Sequence, residues 1–134
     1  MERRSECPIA FGLDFFGDKW SLLIVRDIAM YGRHYYGEFE GAGEGIATNI
    51  LANRLKKLTE DGIIEKIRDP EHGSKRIYQL TQKGVDLLPV IVEIIVWSAK
   101  HDPDSPVSKA YLRRATRDRE GLLAEMRANA AAHH

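Results

Sequence analysis

Asn49 and Asn53 lie four residues apart, Thr48 precedes the first of them, and Arg54, Lys56 and Lys57 fall in the same short segment. On a helix that spacing puts the two amides on one face. A carboxamide presents a donor beside an acceptor, which matches the N6 and N7 edge of adenine, and a threonine hydroxyl can bond a base edge or a phosphate. Three cations within four residues bring positive charge to the rim of the same face, where backbone phosphates would lie. Phosphate contacts for affinity and amides for selectivity together describe a surface for double-stranded DNA. The same pattern also suits the solvated face of an ordinary core helix, so the segment needs a context.

A second cationic group supplies that context. Lys66, Arg68, Lys75 and Arg76 flank the polar run Asp69-Pro70-Glu71-His72-Gly73-Ser74. Ser74, Lys75 and Arg76 would reach a minor groove or the adjacent backbone if the run were the tip of a hairpin. Glu65, Asp69 and Glu71 offset much of that charge, which ranks these contacts below those of the Thr48–Lys57 segment.

Cys7 is the single cysteine. If Pro8 opens a helix, Cys7 sits at its positive end with Arg3 and Arg4 close in sequence, and both features favour a reactive thiolate. The alternative is a small apolar filler in a packed interface. Tyr31, Tyr35, Tyr36 and Phe39 could line a small-molecule pocket or pack in the core, and Trp20 reads most simply as core. His34, His72 and His101 show no metal-ligand spacing, so no metal and no cofactor are expected. Gly41 to Gly45 lacks the lysine and hydroxyl of a phosphate-binding loop, and no nucleophile elbow or paired apolar-set carboxylates occur. An enzyme is not expected.

The elements that must hold these groups follow from period and punctuation. Pro8 to Phe16 reads as a short helix ended by Gly17, and Asp18 is placed to cap a second helix through Tyr31, stopped by Gly32. A short helix and a glycine-rich turn fit residues 33–45. From Ala47 to Asp61, Leu51, Leu55 and Leu58 form a narrow apolar stripe opposite Asn49, Asn53 and Lys56. Ile63 to Arg68 and Lys75 to Leu80 alternate like paired strands. Thr81 caps a helix that is apolar nearly all round through Trp97 and kinked at Pro89. After the breaker-rich 102–106, a single charged helix from Val107 to about Ala128 carries Tyr111, Ala115, Leu122 and Met126 on one side.

This order, mainly α with a small β-hairpin wing, is a winged helix-turn-helix. A chain of 134 residues, 43% hydrophobic, supports one core and an extra arm. Residues 7–100 form the winged helix-turn-helix with its dimerisation helices, 105–129 a C-terminal helical extension, and 130–134 resemble a cloning remnant with part of an affinity tag. Basic and acidic residues balance at 20 each, so any attraction for nucleic acid must be local. The longest apolar stretch, Val85 to Trp97, falls short of the roughly 20 residues of a membrane span. No signal-like N-terminus is evident, and a cytoplasmic location is expected. Val90, Ile91, Val92, Ile94, Ile95 and Val96 exceed what one small core can cover, and a second copy is the economical cover.

Cys7-Pro8-Ile9, Gly17-Asp18-Lys19-Trp20-Ser21, Tyr36-Gly37-Glu38-Phe39, Ile46 to Leu58, and Tyr78-Gln79-Leu80-Thr81 with Gly84 occur in that order. Together they resemble the HxlR-type family of bacterial winged-helix regulators over residues 7–100. The resemblance implies a homodimer joined through the first helix and the C-terminal helices, a dyad or direct-repeat operator, and more often repression. It also implies that a cysteine before proline can act as a redox or electrophile switch, beside response to a small-molecule effector. The departures are the glycine-rich turn and the charged C-terminal segment. The contrasting reading is a winged-helix protein-interaction module without DNA binding, which the zero net charge would suit.

Overall fold

The structure, a computed structural model, describes residues 5–131. Eight helices and one hairpin follow in the order α1 (Pro8–Phe16), α2 (Ser21–Tyr31), α3 (Tyr36–Glu40), α4 (Thr48–Glu60), β1 (Ile64–Arg68), β2 (Arg76–Leu80), α5 (Gln82–Val85), α6 (Leu88–His101), α7 (Lys109–Arg117) and α8 (Arg119–Ala131) among the described residues. The core gathers Val25, Ile28 and Ala29 of α2, Leu51, Leu55 and Leu58 of α4, Leu88 and Val92 of α6, and Leu122, Leu123 and Met126 of α8. Each fully buried large aliphatic contributes about 1.5–3 kcal/mol relative to exposure, so the leucine stripe alone seats α4 firmly.

Asp18 does cap the second helix, accepting N–H bonds from Trp20 at 2.8 Å and Ser21 at 2.9 Å. Burial pushes its carboxyl up, but the Ser21 hydroxyl, those two amides and the Arg54 charge together hold it below the ordinary carboxylate range. The strands pair antiparallel, with Ile64 opposite Leu80 and Arg68 opposite Arg76. At the open edge of β2 the chain before α3 adds one residue to the ladder. The Tyr78 N–H donates to the His34 carbonyl at 2.8 Å, and His34 Nδ1 lies 2.8 Å from the Tyr78 carbonyl.

Two glycines are dictated by geometry. Gly62 turns the chain from α4 into β1 at φ +75°, a conformation that side chains disfavour. Gly84 lies so close to β1 that a Cβ there would stand 2.2 Å from the Ile63 carbonyl oxygen, which fixes α5 against the base of the wing.

Two expectations are corrected. The helix expected from Thr81 through Trp97 is broken into α5 and α6. Pro89 lies in the first turn of α6, where its missing N–H leaves nothing unbonded, and so opens a helix instead of kinking one. The single C-terminal helix is likewise two. Asp118, at φ −137° and ψ 47°, ends α7, and α8 packs onto α2. The arm is therefore part of the core. Its last residues include Ala130, buried, and Ala131, so the segment expected as a remnant begins inside α8; residues 132–134 lie outside the described residues.

Candidate nucleic-acid interface

α4 is the second helix of a helix-turn-helix formed with α3, and the glycine-rich turn between them is tied down at both ends. Arg26 Nη1 donates to Glu44 at 3.4 Å. The Tyr36 hydroxyl donates to the Thr48 carbonyl at 3.1 Å. With Leu51, Leu55 and Leu58 turned inward, the helical period turns Asn49, Ala52, Asn53 and Lys56 outward, and all four are exposed. Asn49 and Lys56 have no hydrogen-bond or ion-pair partner among the described residues. Ala47, the residue before α4, offers no side-chain cap, so the first-turn N–H groups and the positive end of the helix dipole are left for an outside acceptor.

The structure does not bring all the expected cations to that face. Arg54 turns back toward Asp18, with Nε 3.4 Å from the carboxylate, and its Nη1 reaches Asn53 Oδ1 at 3.4 Å. Lys57 Nζ donates to Asp61 at 2.6 Å and to the Asp14 carbonyl at 3.1 Å, joining α4 to α1. Both positions fall on the flank of the helix between the leucine stripe and the outer face, within reach of Asp18 in the turn after α1, of Asp61 at the end of α4 and of the Asp14 carbonyl. Lys56 remains the outward cation of the expected three. Thr48 is exposed, but its hydroxyl donates to Glu40 at 3.0 Å and keeps only acceptor capacity.

The hairpin places Lys66, Arg68, Ser74, Lys75 and Arg76 on the exposed wing. Arg76 Nη1 donates to the Lys75 carbonyl at 3.2 Å, and Lys75 Nζ lies 5.4 Å from the centre of the Tyr35 ring. Asp69, one of the acids that offset this charge, is buried. It is 1% exposed, accepts a short hydrogen bond from the Tyr35 hydroxyl and takes the Glu71 N–H at 2.9 Å. The Tyr35 bond comes first among the causes that hold the Asp69 carboxyl below its ordinary range, and the same bond pushes the Tyr35 phenol up to about 12. Tyr35 thus ties the wing to the chain ahead of α3. No sequence signal announces a pair 34 residues apart.

The aromatic cluster also separates. Phe39 is core, Tyr35 and Tyr36 face the groove between α3 and the wing, and Tyr31 lines a different cavity beside α2. Trp20 is half-buried under Lys19, whose Nζ is 4.7 Å from the ring centre. Cys7 is exposed, directly before Pro8 at the head of α1, with its N–H donating to Ser5 Oγ at 3.1 Å. Arg3 and Arg4, expected beside it, lie outside the described residues. No cluster of three or more His, Cys, Asp or Glu suited to a metal forms among the described residues, nor is any helix there long and apolar enough to cross a membrane.

The profile of the HxlR-like helix-turn-helix family matches residues 15–105. The chain belongs to the HxlR family. Among its relatives is MalR of Fusobacterium mortiferum, named as a regulatory protein, 31% identical over 103 residues that span 75% of this chain and 97% of MalR. The crystal structure of PA1607, assigned as a transcription factor, shares 42% identity at a TM-score of 0.70, covering 78% of this chain and 73% of PA1607. The redox regulator HypR, in its oxidised form, shares 27% identity at a TM-score of 0.63 over 71% of this chain and 97% of HypR. The chain is a transcriptional regulator of the HxlR type with a winged-helix fold. The family match begins after Cys7-Pro8-Ile9 and stops short of α7 and α8.

Proposed function

We propose that this HxlR-type chain is a cytoplasmic homodimer that binds operator DNA sequence-specifically and represses transcription. The observation that carries the proposal is the outward row Asn49, Asn53 and Lys56 on a helix pinned from behind by three buried leucines. Base-edge selectivity rests on the two amides. Thr48, as an acceptor, and Arg54, Lys57, Ser74, Lys75 and Arg76 serve the phosphates, Arg54 and Lys57 only by leaving their present carboxylates.

Self-association has its own support. α1 has no buried residue, and Ile9 at 72%, Leu13 at 50%, Ile94 at 46% and Trp97 at 65% exposure leave apolar surface on α1 and α6 uncovered. Covering it with a second copy, as the family resemblance implies, would place two α4 helices about 34 Å apart, one turn of DNA, over a site of about 20 base pairs. Enrichment of short duplexes from a random pool tests the reading. A dyad or direct-repeat site should emerge, and a pool unchanged after several rounds would refute it.

The regulator's state is set by a redox or electrophile event at Cys7, or by a small molecule. Exposure of the thiol at a helix head, and a relative that is a redox regulator, support the first. Diamide should release wild-type protein from its selected DNA and leave Cys7→Ser bound; equal responses would remove Cys7 from the account.

A further inference from the structure

A two-stranded hairpin is marginal on its own, and the pairing of β1 with β2 fixes their register but not the angle at which the wing stands to α4. That angle decides whether wing and helix can meet one duplex together. Contacts that reach from the wing tip back to α4 therefore bear on function.

One such chain of contacts runs through Tyr35. Its hydroxyl donates to Asp69 at the tip, and its ring faces Lys75 Nζ at 5.4 Å. The buried Asp69 carboxylate also takes the Glu71 N–H at 2.9 Å, and the Asp69 N–H donates to the Lys75 carbonyl at 3.1 Å. Holding Asp69 thus holds the turn that carries Lys75 and Arg76. The contacts of Arg76 Nη1, with the Gly73 and Lys75 carbonyls, lie within the tip and move with it.

Tyr35 is itself fixed from behind. Its N–H and that of His34 both donate to Glu38 Oε1 at 3.0 Å. His34 is joined to β2 by the Tyr78 N–H and by Nδ1 against the Tyr78 carbonyl, each at 2.8 Å. Tyr36 then opens α3 and donates to the carbonyl of Thr48, the first residue of α4, at 3.1 Å. The segment from His34 to Glu38 is a brace between the wing tip and the start of the outward-facing helix. Tyr35, Tyr36, Lys66, Lys75 and Arg76 line the groove that the brace spans.

We propose that Tyr35 is a positioning residue for DNA binding: by holding Asp69 it sets the wing tip where Lys75 and Arg76 meet phosphates of the duplex that α4 reads. The inference deepens the proposed function. It rests on the DNA reading for the effect on affinity and not for the hold on the wing.

Tyr35→Phe keeps the ring and removes the hydroxyl, and a thermodynamic cycle with the tip cations gives the test. On the selected duplex Tyr35→Phe should bind about tenfold more weakly, a loss of the size found for side chains in one network. In a protein already carrying Lys75→Ala and Arg76→Ala the same change should cost less than about twofold, because the cations it positions are gone. A merely structural role would give the same loss in both proteins. In the free protein, amide hydrogen exchange should quicken far more at Asp69, Glu71 and Lys75 than at Leu55 and Leu58 of α4. Equal affinity of wild type and Tyr35→Phe, or equal losses with and without the tip cations, would overturn the proposal, as would exchange quickened no more at the tip than in α4. A wild type that selects no duplex would refute the DNA reading and with it the role of Tyr35 in affinity, while exchange quickened at the tip would still uphold its hold on the wing.

Discussion

Asn49 and Lys56 stand two helical turns apart on the same exposed face, and their chemistry predicts different losses. Asn49→Ala removes a bidentate amide from a base edge, so it should cost about 1–3 kcal/mol on the selected site and relax preference at one base pair per half-site. Lys56→Ala should weaken all duplexes alike and flatten the salt dependence by about one unit for each subunit. Quantitative band-shift titrations over a panel of single-substituted sites distinguish the two patterns. The Tyr35–Asp69 bond makes a prediction of another kind. Because Asp69 is held below its ordinary value, its contribution to stability is present above about pH 4 and is lost as the pH falls through the lowered value. Because Tyr35 is raised to about 12, the same bond is fully present below pH 10 and lost as the pH rises from 10 toward 12. Urea midpoints should therefore favour the wild type over Tyr35→Phe at neutral pH, with the gap narrowing at both extremes. A gap that is the same at all pH values would contradict the assignment.

At the scale of elements, what the sequence announced was local. Pro8, Gly17 and Gly32 marked helix ends correctly, the Leu51, Leu55, Leu58 stripe oriented α4, and alternation located both strands. Tertiary partners were not announced. Arg54 looked like a groove-edge cation because nothing in its own segment reveals that Asp18 approaches from elsewhere, whereas Lys57 is held in part by Asp61, four residues on in the same segment, and in part by the distant Asp14 carbonyl. Pro89 and Asp118 broke helices that periodicity ran through, since apolar period continues across a break that only backbone geometry exposes. The largest revision concerns α8, expected as part of a single charged helix forming an arm beside the core, whose Leu122, Leu123 and Met126 are core residues on a helix packed against α2. A core role predicts that Leu123→Ala costs about 2–5 kcal/mol and still unfolds in one transition. A loss below 0.5 kcal/mol in urea denaturation would restore the independent arm.

For the molecule as a whole, a balanced formal charge means that the proposed affinity for DNA arises from the placement of cations rather than from their excess. The wing and α4 of one subunit offer a modest set of cations, which the proposed homodimer would double by symmetry. Leu13→Glu with Trp97→Glu should accordingly give a monomer in sedimentation, with affinity for a full site falling to that for a half-site. The most direct test of the central claim is the slope of log affinity against log salt on the selected duplex, measured for the wild type and for Asn49→Ala with Asn53→Ala. The account predicts a steep negative slope of about 4 or more that the double variant shares, while its preference for the selected site over a scrambled one disappears. Binding that ignores salt, or a double variant that still picks out the selected site, would contradict the claim that α4 reads DNA.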